Sequence, residues 1–207
     1  MATGPIFFLH IPKTGGSSLN TLLTKVYGES VYRTPNRMME NENLLHSFRK
    51  DAVDVACIRG HFAFGLHKEL GVTNPTYITF VRDPVDRLLS LYHYLGWSRP
   101  AGYKYRDEVR AMPFADFARS ARPDWSFLDN DMTRRLGGGF GQPVMDATYR
   151  AAIANLERFP LVGLTERYDE AVERWAQLFD WPTTEYELTY DQPSRLRQSA
   201  LPARLIE

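Results

Sequence analysis

The chain has 207 residues, a length sufficient for a single packed domain over residues 1–207. Its composition, with 43% hydrophobic and 24% charged residues, excludes an intrinsically disordered protein. Its 25 basic and 25 acidic residues cancel, so the charge balance argues against nucleic acid or an anionic membrane as a partner. A single cysteine excludes an intramolecular disulfide, and without an apolar run of about 20 residues we expect a cytoplasmic protein with no transmembrane segment.

The first predicted elements are a strand and a helix close to the N-terminus. The apolar run Ile6–Leu9 predicts a buried strand. A helix follows, because apolar residues recur at i, i+3, i+4 and i+7, namely Leu19, Leu22, Leu23 and Val26. The short connection between these elements is therefore a loop at a helix N-terminus.

This loop has the composition of an anion-binding site. It offers one ammonium group, three hydroxyls and two glycines that let the backbone approach a ligand: Lys13, Thr14, Gly15, Gly16, Ser17 and Ser18. The unpaired N–H groups and the partial positive charge of a helix N-terminus favour phosphate or sulfate. The order differs from the G-x-x-x-x-G-K-[ST] loop, because Lys13 and Thr14 precede the glycines.

The middle of the chain predicts further strands of the same sheet. Residues 28–50 are polar, and we expect loops there with a short helix over Leu44–Lys50. Two runs rich in β-branched and aromatic residues, Val53–Arg59 and Thr76–Val81, predict buried strands, and Cys57 in the first is expected to be a buried thiol. Strands that alternate with helices are typical of α/β folds with a parallel sheet.

The C-terminal part is predicted to be mostly helical. Asp83-Pro84 begins one helix as N-cap and first helical residue, and residues 96–110 are expected to form a polar, aromatic loop. Four further helices are predicted, over Phe114–Ala121, Phe127–Leu136, Asp146–Leu156 and Glu166–Phe179, with a glycine-rich interruption at residues 137–141 and a short strand at Pro160–Leu164. The tail, residues 181–207, is too polar and proline-rich to assign.

A second anion site is predicted where the third strand ends. Arg82 follows that strand, and α/β sheets bind ligands at the edge formed by the carboxyl ends of their strands. Its guanidinium suits a phosphate. Ser90 lies two turns into the next helix, away from the apolar side of that helix, so the core does not require it. The alternative is a surface ion pair of Arg82 with Asp83 beside a solvated serine.

A histidine after the second strand is a candidate general base. His61 lies in the segment Arg59-Gly-His-Phe-Ala-Phe-Gly-Leu-His67, where it would reach the same sheet edge as Lys13. An imidazole with a pKa of about 6.5 accepts a hydroxyl proton at neutral pH. His67 is a second candidate. The five histidines show no metal-ligand spacing, so we predict no metal site.

Three segments together resemble the carbohydrate-type sulfotransferases of sulfotransferase family 2. They are His-Ile-Pro-Lys-Thr-Gly-Gly-Ser-Ser at residues 10–18, Arg-Gly-His-Phe-Ala-Phe-Gly at residues 59–65, and Phe-Val-Arg-Asp-Pro-Val-Asp-Arg-Leu-Leu-Ser at residues 80–90. The resemblance implies a three-layer α/β fold like that of P-loop nucleotide-binding proteins, with a central parallel sheet flanked by helices. It also implies the donor 3′-phosphoadenosine 5′-phosphosulfate (PAPS), with no metal.

The same resemblance implies roles for the candidate residues. The loop Lys13–Ser18 would bind the 5′-phosphosulfate of PAPS, and Arg82 with Ser90 its 3′-phosphate. His61 would be the catalytic base, with His67 as the alternative because some relatives use a histidine slightly downstream. Lys13 would also stabilise charge on the departing phosphate.

The resemblance implies an acceptor that bears a hydroxyl, and it leaves a glycan and a small metabolite open as alternatives. Asn130, Thr133 and Arg134 resemble a family segment, Asn-x-x-Thr-Arg, that lies near donor and acceptor, so we expect a substrate contact there. The competing interpretation is an amphipathic helix with solvated arginines. Many animal relatives carry a membrane anchor before the first motif and a longer C-terminal part, and we expect this chain to lack both.

Two other functions share parts of this pattern. A P-loop kinase or triphosphatase needs magnesium ligands, but Pro84 marks Asp83 as an N-cap, and Lys13 precedes the glycines. The other alternative is a nucleotide-binding module without catalytic activity. The presence of a candidate general base, His61, disfavours it.

Overall fold

A five-stranded parallel sheet forms the centre of the fold. The computed structural model describes residues 4–34, 55–139 and 143–186. The strands are β1 (Ile6–Leu9), β2 (Val31–Arg33), β3 (Cys57–Gly60), β4 (Thr76–Val81) and β5 (Val162–Leu164). They lie in the order β2-β3-β1-β4-β5, and each neighbouring pair is parallel. The predicted α/β architecture is therefore confirmed.

In the described part of the chain, helices lie between β1 and β2, between β3 and β4 and between β4 and β5, and helices cover both faces of the sheet. They are α1 (Gly16–Tyr27), α2 (Leu66–Glu69), α3 (Pro84–His93), α4 (Arg106–Ala111), α5 (Phe114–Ala118), α6 (Asp131–Leu136), α7 (Asp146–Leu156) and α8 (Tyr168–Phe179). Short 3₁₀ turns lie at Gly28–Ser30, Pro123–Trp125 and Thr165–Arg167, and a π-helical turn lies at Tyr94–Ser98. In the described part of the chain, no helix has the length and apolar character needed to cross a bilayer.

Alternate residues of β1 enter two separate cores, which makes three layers. Phe8 packs against Leu22 of α1 and Trp175 of α8 on one face of the sheet. Phe7 points to the other face and packs in a cluster that includes Ala152 of α7. A residue period of two explains this division, because successive strand side chains point to opposite faces. A third apolar cluster, around Trp125, joins the end of α3 to α4 and α5.

All four predicted strands are present, and the bounds of two of them differ from the prediction. The strands at Ile6–Leu9 and Thr76–Val81 have the predicted bounds, whereas β3 begins at Cys57 rather than Val53 and ends at Gly60, and β5 begins at Val162 rather than Pro160. Cys57 is fully buried, as predicted, and burial raises the pKa of its thiol to about 12. The sequence does not predict β2, because its three residues are incompletely buried and form no apolar run. The helix predicted over Leu44–Lys50 lies outside the described residues.

Several helix predictions need correction. The helix predicted over Phe114–Ala121 ends at Ala118, and the one predicted from Glu166 begins at Tyr168, after a 3₁₀ turn. The helix predicted from Phe127 begins at Asp131, because Asn130 has a left-handed backbone conformation with φ of 46°. The loop predicted over residues 96–110 contains α4, which buries only Val109 completely and so shows no periodic apolar pattern. The helix at Asp146–Leu156 has the predicted bounds.

Candidate active site

Four parallel strands end around one cavity of about 520 Å³. The residues that directly follow β1, β3, β4 and β5 all line it: His10, His61, Arg82 and Thr165. This is the sheet edge at which α/β folds bind ligands, and the volume lies within the range of roughly 300–1,000 Å³ that is usual for small-molecule sites. Of the residues predicted from the sequence, the cavity brings together Lys13, Gly15, Gly16, Ser17, Ser18, His61, Arg82 and Ser90.

The loop after β1 has the backbone geometry of an anion cradle. Lys13 and Gly15 both have positive φ, 70° and 85°, and α1 begins at Gly16. In the described structure, no side chain caps this helix end. The first N–H groups of α1 are therefore available to a ligand, and the helix dipole adds a partial positive charge.

Gly16 also has a packing role that the sequence does not reveal. A β carbon at residue 16 would collide with the imidazole of His10, and its closest contacts would be Cδ2 and Nε2 of that ring. Only glycine lets the ring lie against the first residue of α1. Gly15 is restricted as well, because a β carbon there would lie 2.9 Å from the ring of Tyr168.

Lys13 is a partly buried cation on the cavity wall. Its Nζ lies 4.3 Å from the centroid of the Tyr94 ring, within the range of a cation–π contact. Burial, followed by repulsion from Arg82 and Arg99, lowers the pKa of Lys13 to about 8. The ammonium group is thus mostly charged at neutral pH, in surroundings where a bound anion would offset the repulsion.

Arg82 and Ser90 approach the same loop from β4 and α3. Nη1 of Arg82 donates to the carbonyl oxygen of Lys13 at 3.2 Å, so the guanidinium is fixed beside the cradle. Ser90 is only 3% exposed and lines the cavity rather than being solvated. Asp83 accepts from the backbone N–H groups of Val85 and Asp86, which confirms its predicted capping role.

Thr14 does not present its hydroxyl to the cavity, contrary to the expectation for this loop. The hydroxyl donates to the carbonyl oxygen of Ile11 at 2.9 Å, and the residue is completely buried. Its own carbonyl oxygen lies 3.0 Å from the hydroxyl of Thr165, which is also 3.0 Å from the carbonyl oxygen of Val81. Thr14 therefore holds the loop in shape and joins it to the ends of β4 and β5.

His61 is oriented as a neutral imidazole. Its Nδ1 lies 2.7 Å from the carbonyl oxygen of His10, and because a carbonyl only accepts, Nδ1 carries the proton. Nε2 is left as a proton acceptor. Burial lowers the pKa of His61, the bond to the His10 backbone opposes this shift, and Arg135 lowers the pKa further. His61 therefore stays unprotonated at neutral pH.

The structure places His67 away from the cavity, so the alternative base is not part of this site. His67 lies in the apolar core, between the rings of Phe7, Phe64 and Tyr77. Its Nδ1 is 2.9 Å from the hydroxyl of Tyr77. The apolar periodicity of the sequence could not reveal this, since α2 is a single turn that begins at Leu66.

Asn130, Thr133 and Arg134 line a second cavity, of about 710 Å³, and not the first. Arg134 is only 3% exposed, and its Nη2 donates to Oδ2 of Asp129 at 3.0 Å, so the expectation of a solvated arginine is wrong. Asp131 lines this cavity and pairs with Arg135, whose charge acts on His61. Helix α6 thus connects the second cavity electrostatically to the first.

Sequence reasoning missed several residues of the first cavity. His10 and Thr165 directly follow strands, so the rule that selected Arg82 could have selected them. Tyr168 and Asp169 begin α8, and they reach the cavity through a contact of Tyr168 with the carbonyl oxygen of Gly15. No sequence pattern indicates that contact, which joins positions 153 residues apart.

Comparisons with known proteins agree with this geometry. The model of the Sulfotransferase family, Sulfotransfer_2, matches residues 3–187. Heparan sulfate 2-O-sulfotransferase hst-2 of Caenorhabditis elegans is 30% identical over 102 residues, which cover 44% of this chain and 32% of that protein. The match thus spans about a third of the relative's length. Mouse sulfotransferase SULT7A1, solved in complex with PAP, has a similar fold, with a TM-score of 0.52 and 14% identity over 88% of this chain and 60% of that one.

The lowered pKa of Lys13 predicts that anion binding weakens in mildly alkaline solution. Inorganic sulfate, used as the probe anion, should lose about tenfold in affinity between pH 7 and pH 9, because the ammonium group loses its proton as the pH rises through about 8. The Lys13→Arg variant keeps its charge throughout and should show a nearly constant Kd. Calorimetric titration at several pH values measures both, and an equal loss in the two proteins would contradict the assignment.

Proposed function

Because the chain belongs to the Sulfotransferase family, we propose that it transfers a sulfuryl group from PAPS to the hydroxyl of an acceptor. The observation that carries the proposal is the meeting, in one cavity, of the cradle at the start of α1, the fixed guanidinium of Arg82 and the neutral imidazole of His61. Sulfuryl transfer to a hydroxyl requires a loop that binds the oxyanion and a nearby group that accepts the proton.

The cradle accounts for donor binding. Lys13 and the first N–H groups of α1 would hold the 5′-phosphosulfate, together with the hydroxyls of Ser17 and Ser18. Arg82 and Ser90 would bind the 3′-phosphate, because both line the same cavity from the β4 side. Thr14 contributes to this site only by fixing the loop, since its hydroxyl is bonded to Ile11.

The reaction follows from these positions. Nε2 of His61 takes the proton from the acceptor hydroxyl while a bond forms between the acceptor oxygen and sulfur. The bond from sulfur to the phosphate oxygen breaks on the opposite side, and the departing phosphate takes the electron pair. Lys13 and the N–H groups of the cradle stabilise the charge that develops on this phosphate. The protein supplies position and electrostatics, and His61 moves the proton.

Donor choice separates this proposal from a kinase or triphosphatase. Adenosine 3′,5′-bisphosphate (PAP) should bind in the absence of metal at least about tenfold more tightly than ATP with Mg²⁺, because the cavity offers cations and N–H groups for two phosphate sites. Calorimetry with both nucleotides measures the difference. A preference for ATP with Mg²⁺ would favour the kinase, and tight PAP binding without transfer to any acceptor would favour a binding module.

Loss of the His61 imidazole should abolish most turnover and leave donor binding unchanged. We expect His61→Ala to lower kcat by about a hundredfold to ten thousandfold, the range for a positioned general base, with little change in the Kd of PAP. Transfer from labelled PAPS gives kcat. The control is His67→Phe, which suits the apolar surroundings of that residue and should keep kcat per folded molecule. A His61→Ala enzyme of normal kcat would exclude His61 as the base.

For the acceptor, we propose an acidic glycan bound in the second cavity. Heparan sulfate is the substrate in the name of the Caenorhabditis elegans relative. Arg87, on the wall of this cavity, is 3% exposed, and one of its terminal nitrogens donates to the carbonyl oxygen of Phe127 at 3.2 Å. Its other terminal nitrogen is buried without a hydrogen-bond partner within residues 4–34, 55–139 and 143–186. A carboxylate or sulfate of the acceptor would satisfy this group.

Removal of the Arg87 charge tests the acceptor class. Arg87→Met should raise the KM of an acidic glycan by about tenfold, as expected for loss of a hydrogen bond to a charged group, and should leave the KM of neutral sugars unchanged. The matched control is Arg119→Met, at an exposed position outside both cavities. Equal KM changes for acidic and neutral acceptors, or the use of small metabolites alone, would exclude an acidic glycan.

A further inference from the structure

Among the described residues, His10 is the one imidazole besides His61 on the wall of the first cavity, and the reaction described above gives its side chain no role. The ring lies between two others: its centroid is 5.3 Å from that of Phe8, nearly parallel, and 4.4 Å from that of His61. These contacts and burial to 8% exposure fix the ring beside the base.

The edge of the ring faces the place where the anion cradle begins. Cδ2 and Nε2 are the atoms of His10 closest to a β carbon placed on Gly16, the first residue of α1. A group held by the first N–H groups of α1 therefore lies next to this edge. In a bound donor, the 5′-phosphosulfate is that group.

The ring is also an unused polar group. Throughout the described ranges, neither ring nitrogen of His10 makes a hydrogen bond, although its backbone N–H and carbonyl oxygen both do. A ring nitrogen without a partner on the wall of a ligand cavity is suited to pair with the ligand.

The surroundings of His10 keep the ring neutral. Burial, followed by repulsion from His61, Arg135, Lys13 and Arg59, holds its pKa well below the usual 6.5. A neutral imidazole has one N–H donor and one acceptor nitrogen. It can donate to an oxyanion without repelling the positive charge that His61 gains when it takes the acceptor proton.

We propose that His10 is a further catalytic residue, whose imidazole N–H donates a hydrogen bond to an oxygen of the sulfuryl group during transfer. The inference rests on the proposed function, because it requires PAPS as the donor. No covalent bond to His10 forms or breaks. The residue acts as a preorganised donor at the reacting group, opposite Lys13, which acts on the departing phosphate.

The test uses two substitutions that separate the hydrogen bond from the packing. His10→Phe keeps an aromatic ring against Phe8 and His61 and removes the N–H, and His10→Gln places an amide N–H near the position of Nε2. We expect His10→Phe to lower kcat by about tenfold to a thousandfold, the range for loss of one oxyanion donor, and His10→Gln to recover part of the loss. The Kd of PAP, which lacks the sulfuryl group, should stay within about twofold in both.

A second measurement does not depend on variants that fold. In the wild-type protein, the ¹⁵N resonances of the His10 ring should shift on binding PAPS and much less on binding PAP. The acid limb of the pH profile should not move in His10→Phe, because the His10 backbone carbonyl still sets the tautomer of His61.

Three results would overturn the role of His10. The first is a kcat of His10→Phe within twofold of wild type. The second is a loss of PAP affinity in His10→Phe as large as its loss of kcat. The third is a set of ring resonances that respond identically to PAPS and PAP. A displaced acid limb would show instead that His10 acts through His61. Absence of transfer by the wild-type enzyme would refute the proposed function itself, which is a distinguishable outcome.

Discussion

The contact between Gly16 and His10 is the constraint on which the site depends. The ring of His10 lies where a side chain at residue 16 would be, so β1 and α1 can meet only if that residue is glycine. This close meeting lets His10 place its carbonyl oxygen 2.7 Å from Nδ1 of His61. One tight turn thereby sets both the start of the anion cradle and the protonation state of the neighbouring imidazole.

The positive charges around the cavity repel one another in the absence of an anion. Lys13 has a pKa lowered to about 8, with burial as the main cause and Arg82 and Arg99 as further ones. Groups held together at an electrostatic cost gain most from a ligand of opposite charge, because the ligand removes repulsion as well as adding attraction. The part of the cavity wall that Lys13 and Arg82 form therefore favours an anionic ligand, although the whole chain carries no net charge and Glu166 and Asp169 line the cavity as well.

The sequence predicts the part of the site that local chemistry determines. Lys13 and Gly15 are recognisable because a glycine-rich loop between a buried strand and an amphipathic helix has few other uses, and Arg82 because it directly follows a strand. The buried sheet residues are equally visible, since β1 is an uninterrupted apolar run and β4 is rich in β-branched and aromatic residues. Single-domain organisation of the whole chain stays a prediction.

What the sequence does not reveal depends on contacts between distant segments. The hydroxyl of Thr14 counts as a ligand donor until the structure shows it bonded to Ile11. His67 resembles a catalytic candidate until its ring is found against Tyr77 in the core. Both errors have the same origin. Residue type and spacing indicate which groups lie near the loop, but they do not indicate the hydrogen-bond partner of each group.

The ion pair of Asp131 and Arg135 couples the second cavity to His61 on the wall of the first. Nε of Arg135 is 3.0 Å from both carboxylate oxygens of Asp131, and both side chains are at most 10% exposed. The two charges act on the pKa of His61 in opposite directions, because Arg135 lowers it and Asp131 raises it. Breaking such a pair leaves an uncompensated buried charge.

The same pair also fixes geometry, since the backbone carbonyl of Arg135 accepts from the N–H of Phe64, three residues after His61. Because Asp131 lines the second cavity, a change in charge there reaches the imidazole through this single turn of α6. An acidic acceptor near Arg87 would thus bring negative charge to the cavity that Asp131 of α6 also lines. That charge favours the protonated imidazole that proton transfer from the acceptor hydroxyl produces, so acceptor binding and base strength are physically linked.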